Sequence, residues 1–149
     1  MKIVINNCFG GFGLSLKAIK RYLELKGKEA HFYVNRYTDG KVYKKIDEGE
    51  HFLVFTFTKH FGKEFINPEF VPGERDKCKE YHEIWDTYFS DRDILRDDKD
   101  LIKAIEELGT EANGDYADLK IVEIPDGTAW QLDDYDGNET IHETHRTWE

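Results

Sequence analysis

MKIVINNCFGGFGLS, residues 1–15, followed by LKAIKRYLEL, residues 16–25, decides how the rest of the chain is read. Residues 2–5 place apolar, mostly β-branched side chains on consecutive positions after Lys2, which predicts an interior strand buried on both faces. Asn6-Asn7 end it. In residues 8–15, Gly10, Gly11 and Gly13 permit positive φ and close approach of backbone, while Phe9 and Phe12 need cover. Ser15 predicts a helix cap, because its hydroxyl can accept from an N–H one turn on. Leu16, Ile19 and Leu23 then form an apolar stripe, widened by Ala18, Tyr22 and Leu25, and Gly27 is placed to stop the helix. A strand, a glycine turn and a helix start can present backbone N–H groups to an anion. The same sequence is also the plain way to join a strand to a helix.

Downstream, residues 29–37 read as a second strand, Thr38-Asp39-Gly40 as a tight turn and residues 41–46 as the return strand of a hairpin. Val42, Tyr43 and Ile46 do not alternate cleanly, which suggests an exposed, twisted edge. Residues 51–58, HFLVFTFT, carry the strongest strand signal and read as a central strand. Residues 59–97 are broken by Asn67-Pro68 and Pro72-Gly73 and read as an irregular insertion, with a short helix around Tyr81, Ile84, Trp85 and Tyr88. Arg96-Asp97-Asp98 looks like solvated charge with local pairing. Asp98 also caps a helix that buries Leu101, Ile102, Ile105 and Leu108 and stops at Gly109. Residues 119–124 are a strand, Pro125-Asp126-Gly127 a turn and residues 129–132 its paired strand. A further turn lies at residues 134–138, and residues 139–148 form a short tail element.

Composition bounds the class. The 149 residues suit one domain, 1–149, and no linker divides them. Ten Phe, eight Tyr and three Trp against one Met give a core built of rings. With 31 acidic and 21 basic residues, the net charge of −10 disfavours direct binding of nucleic acid. No apolar run is long enough for a transmembrane helix. Met1-Lys2 runs straight into a strand, so no secretory signal is expected. Cys8 and Cys78 form neither a disulfide framework nor a zinc set, and Cys8 reads as a small buried residue. A cytoplasmic setting follows.

The glycine turn is not a P-loop, since no Lys-Ser/Thr follows at the needed spacing, and Leu16 stands where a dinucleotide fingerprint has its third glycine. His142-Glu143-Thr144-His145 lacks the four-residue histidine spacing of H-E-x-x-H, which leaves His142 and His145 as weak metal candidates only. His145 and Arg146 could instead bond the acidic turn at residues 133–136. Carboxylates are too frequent to diagnose a hydrolase. Phe9 and Phe12 bracket the turn, while Trp130, Tyr135 and Trp148 lie near Arg146. Rings with a guanidinium suit a nucleobase and phosphate, and they equally suit a ring-filled core.

Residues 2–15 and 121–148 resemble a family of small proteins of unassigned function from bacteriophage and prophage genomes. That family opens with K-x-x-I-N-x-C-[YF]-GGF-x-x-S and closes with a Tyr-Asp-Gly…His-Arg-x-Trp segment. The matching positions here are Cys8, Phe9, Gly10, Gly11, Phe12 and Ser15, then Tyr135, Asp136, Gly137, Glu139, Glu143, His145, Arg146 and Trp148. The middle of the chain is unmatched. The resemblance carries no catalytic residues. It implies a bacterial host cell and, by analogy with small acidic phage proteins, action against host defence.

These readings give an α+β fold: a single domain with a mixed β-sheet of five or six strands packed with two main helices. The C-terminal segment is expected beside the glycine loop. The leading functional expectation is a non-enzymatic, homo-oligomeric protein that needs no cofactor and sequesters a small nucleotide-derived ligand. Its site would be Phe9, Gly10, Gly11, Phe12, Ser15, Trp130, Tyr135, Asp136, His145, Arg146 and Trp148. The alternatives are an acidic inhibitor of a host protein, such as a defence or nucleic-acid-handling one, and a hydrolase or metal enzyme using the C-terminal His/Asp cluster.

Overall fold

The computed structural model describes residues 1–35, 41–47 and 54–144. In chain order the elements are β1 (Lys2–Asn6), α1 (Leu16–Leu25), β2 (His31–Val34), β3 (Val42–Ile46), β4 (Phe55–Phe57), β5 (Glu64–Ile66), α2 (Lys79–Trp85), β6 (Tyr88–Phe89), α3 (Lys99–Leu108), β7 (Leu119–Glu123), β8 (Trp130–Tyr135) and β9 (Asn138–Glu143). The class is α+β. The chain divides into two compact units, one made of both chain ends, Met1–Lys26 with Asp91–Glu149, and one of the middle, Gly27–Ser90.

In the unit built from the ends, Ser15 caps α1 by accepting from the Ala18 N–H at 3.2 Å. The helix buries Ala18, Ile19, Tyr22 and Leu23, at roughly 1.5–3 kcal/mol for each large apolar side chain removed from water. Asp98 caps α3 through the Asp100 and Leu101 N–H groups, and Gly109 ends the helix with φ 60°. α1 and α3 pack together. The tie between them is polar as well as apolar: the Tyr22 hydroxyl donates to Asp98 at 2.9 Å, and Lys26 reaches Asp98 at 3.1 Å and Asp100 at 2.9 Å. Burial, with the bond to Asp98, pushes the Tyr22 phenol up to about 12. At Asp98 burial works against ionisation. The hydrogen bonds from Tyr22, the Asp100 N–H and Lys26 outweigh it and hold the carboxyl below its ordinary range.

β1 is not an interior strand of a mixed sheet. Among the described residues it pairs with β7 alone, antiparallel, from Lys2↔Glu123 to Asn6↔Leu119, yet Ile3, Val4, Ile5 and Asn6 are all buried. α3 and β9 lie against it. A run of apolar residues reports burial on both faces, and here helix and hairpin supply the cover that flanking strands were expected to supply. β7 and β8 are likewise not partners. The Ile124 N–H donates to the Met1 carbonyl, so β7 is committed to β1 along its whole length. Gly127, at φ 78°, redirects the chain, and β8 pairs with β9 instead.

The middle unit holds a five-stranded sheet of order β5-β3-β2-β4-β6, antiparallel at every step. Its core is rings: Tyr33, Tyr43, Phe57 and Phe65, with Phe55, Phe61, Ile84 and Trp85 packed on them. Tyr43 and Phe65 are cross-strand partners, stacked at 4.8 Å. The buried Tyr33 hydroxyl donates to the Gly62 carbonyl and accepts from the Phe61 N–H, both at 2.9 Å. β3 is an inner strand, not the exposed edge expected of it, because β5 pairs along its far side. β5 and β6 both come from the stretch read as irregular, and α2 is the short helix expected there. β4 is the described part of the 51–58 strand and lies between β2 and β6, so the centre of the sheet belongs to β2. The turn at residues 38–40 and residues 51–53 lie outside the described residues. Among the described residues, no helix is long and apolar enough to cross a membrane.

Candidate functional site

The two ends of the chain meet where the glycine loop leaves β1. Asn6, fully buried, is the hub. Its amide donates to the Cys8 carbonyl at 2.9 Å and the Gly137 carbonyl at 2.7 Å. Its side-chain oxygen accepts from the Asp118 N–H at 2.8 Å and from the Cys8 thiol at 3.4 Å. Both donors and both acceptor positions of one buried amide are thereby used, joining residues 7–13, 113–118 and 135–138. The Cys8 thiol also reaches the Tyr116 carbonyl at 3.2 Å, which gives it a structural place.

Glycines mark the contacts between these loops. A Cβ at Gly10 would overlap the Tyr116 carbonyl, one at Gly114 would lie 2.9 Å from the Gly13 carbonyl, and one at Gly137 would lie 2.5 Å from the Gly11 nitrogen. The Gly114 N–H donates to the Gly13 carbonyl at 2.9 Å. Asp136 and Gly137 form the two-residue turn of the β8–β9 hairpin, with φ 51° and 89°. Positive φ at both positions is the demand that makes Asp-Gly a hairpin turn.

Just behind the loops lies an ion pair. Glu139, 3% exposed, meets the Arg96 guanidinium with both oxygens, at 2.5 and 2.9 Å. The guanidinium carbon lies 3.6 Å from the centre of the Phe12 ring, as a cation stacked on a π face. Together these groups close the edge of β1 that faces away from β7. The Arg96 carbonyl accepts from the Val4 N–H at 2.8 Å, the Arg96 guanidinium approaches the Val4 carbonyl at 3.4 Å, and Glu139 accepts from the Asn6 N–H at 2.8 Å. Arg96 is therefore not a solvated charge with local pairing. Its partner is 43 residues away in sequence.

The expected site residues separate into three groups. Phe9, Gly10, Gly11, Phe12, Tyr135 and Asp136 are brought together. Phe9 and Tyr135, 64% and 79% exposed, meet edge to face at 6.5 Å. Ser15 and Trp130 are not brought in. Ser15 is the cap of α1, and its hydroxyl donates to the Glu111 carbonyl at 2.6 Å. Trp130 pairs with Glu143 at the open end of the hairpin, five residues from Tyr135. At about 3.4 Å per residue that is roughly 17 Å, and odd spacing points the two rings to opposite faces. His145, Arg146 and Trp148 lie outside the described residues. His142 pairs with Asp133 at 3.1 Å, and among the described residues no group of three or more side chains could hold a metal ion.

The N–H groups that flank the glycine loop are bonded within the protein. The Asn7 N–H donates to the Asp118 carbonyl, the Leu14 N–H to the Asp91 carboxylate and the Ser15 N–H to the Ala112 carbonyl. Asn6, Arg96 and Glu139 are not among the site residues expected from the sequence, although Asn6 and Glu139 stand in residues 2–15 and 121–148. Arg96 carries no local signal.

The outer surface of the junction has its own character. Besides Phe9 and Tyr135 it carries Tyr116, 69% exposed. Residues 7–13, 113–118 and 133–138 contain five carboxylates, Asp115, Asp118, Asp133, Asp134 and Asp136, and no Lys or Arg. Comparison with protein-family models, curated proteins and solved structures finds no match to the chain.

Proposed function

We propose that this protein acts by binding another protein, and that its binding surface is the loop junction carrying Phe9, Tyr116 and Tyr135. One observation carries the reading: three exposed rings stand on segments that also carry five carboxylates, one of them, Asp133, paired with His142, and no Lys or Arg. Exposed aromatics on backbone pinned by glycine contacts and by Asn6 lose little freedom on binding, which is the character of an interface anchor. The surrounding carboxylates repel phosphate and attract a basic surface. A basic host protein, such as one that handles nucleic acid, fits that chemistry. The resemblance to phage proteins supplies the setting of a bacterial host.

A small nucleotide-like ligand keeps one specific observation in its favour, the exposed Phe9–Tyr135 pair, on which a base could stack. One pair of measurements separates the two. Immobilised wild-type protein and the Phe9→Ser/Tyr135→Ser variant are each exposed to bacterial lysate. A basic protein retained by the wild type, released by salt and not held by the variant is the expected result. Equal retention by both, or none by either, refutes the reading. Titration calorimetry with ADP-ribose and cyclic dinucleotides is expected to give no heat. Heat that disappears in the variant would transfer the surface to the nucleotide reading.

A further inference from the structure

The interior of the junction already shows how these segments hold a guanidinium. Phe12, from the glycine loop, gives a ring face at 3.6 Å, and Glu139, from the start of β9, gives both carboxylate oxygens. Three residues earlier on each segment, a second phenylalanine and a second carboxylate stand on the outer surface. Phe9 precedes Phe12 by three, and Asp136 precedes Glu139 by three. Phe9 meets Tyr135 edge to face, and both rings are largely exposed, as is Asp136. Asp134, also exposed, is engaged by the Gly137 N–H at 2.7 Å, whereas Asp136 sits at the hairpin tip between Tyr135 and Gly137.

We infer that this outer set, Phe9, Tyr135 and Asp136, recognises an arginine side chain presented by the partner. The inference rests on the docking surface proposed above and names its chemistry. A guanidinium is planar, weakly hydrated and always charged, so it can lie on a ring while its N–H groups meet a carboxylate. An ammonium is a compact, strongly hydrated point charge and gains less from the ring. The surface therefore discriminates arginine from lysine, whereas a merely acidic surface would not.

The test uses tetra-arginine and tetra-lysine peptides, equal in charge, titrated into the full chain by calorimetry. Tetra-arginine is expected to bind at least about five-fold more tightly. Tyr135→Ser and Asp136→Asn should each weaken tetra-arginine binding by about three-fold or more, and barely alter tetra-lysine binding. Asn accepts the positive φ of the hairpin turn, so Asp136→Asn removes charge while keeping the fold, and circular dichroism checks both variants. Equal affinity for the two peptides overturns the inference, as does tetra-arginine binding that neither variant weakens. Tyr135-dependent capture of a host protein without arginine preference would sink this inference alone. Loss of that capture would sink the docking surface itself.

Discussion

Replacing Arg96 by methionine tests the ion pair that joins the two chain ends. Met fills part of the stem's space but leaves the Glu139 carboxylate, 3% exposed, with the Asn6 N–H in place of three donors. Removing one partner of a buried pair costs about 3–5 kcal/mol, because the remaining charge stays in a poor solvent. Whole domains are stable by only about 5–15 kcal/mol, so this change removes a large share. Glu139→Gln keeps an acceptor for the Asn6 N–H and loses a charge-assisted bond, for about 1.5–3 kcal/mol. The double variant carries neither charge, and its cost should fall below the sum of the single costs by about 2 kcal/mol. Native-state hydrogen exchange in urea, read at the Val4 and Asn6 amides, reports this edge of β1 directly. An Arg96→Met cost under about 1 kcal/mol, or strict additivity of the two single variants, would refute the assignment.

Two more predictions follow from the same unit. Gly10→Ala and Gly137→Ala each force a Cβ into backbone, and Gly137 also has φ 89°, so each should cost about 2–5 kcal/mol, whereas Gly13→Ala, with nothing within 4 Å, should change the melting temperature little; equal effects at Gly10 and Gly13 would dismiss the packing role. Tyr22 and Asp98 give opposite pH signatures. The raised Tyr22 phenol stabilises fully below pH 10 and loses that contribution as pH rises toward about 12, and the lowered Asp98 carboxyl stabilises above its ordinary value of 3.8 and loses it as pH falls below that. Tyr22→Phe should flatten the alkaline limb in pH-dependent urea unfolding and Asp98→Asn the acid limb; unchanged limbs would show that these groups are not coupled to folding.

Much of the local structure was legible in the chain. The apolar stripes of α1 and α3, the caps at Ser15 and Asp98, the stop at Gly109 and the turn at residues 134–138 all stand where the residues place them, although the hairpin that this turn closes was not read from the chain. So does the approach of the glycine loop to the hairpin at residues 135–138, which the paired resemblance of the two ends brought into view. The ring-rich core and the α+β class were also expected from composition and pattern. β5 and β6 were missed because three- and two-residue strands are too short for a period to show.

What the sequence alone determined is what neighbouring residues settle among themselves. A cap needs a hydroxyl or carboxylate and an N–H two or three residues on; a type I′ turn needs two residues that tolerate positive φ; a helix face needs a stripe. Which distant groups share a place is settled by the folded chain as a whole. The Asn6 N–H finds Glu139 across 133 residues, Arg96 finds Glu139 and Phe12, and β1 takes β7 as its strand partner. The glycines of residues 10–13 look alike in the chain, yet Gly10 is held against Tyr116, Gly11 lies under Gly137, and Gly13 meets nothing through its own Cβ position. Backbone contact between loops has no period and no spacing to read, because it depends on where the whole chain returns.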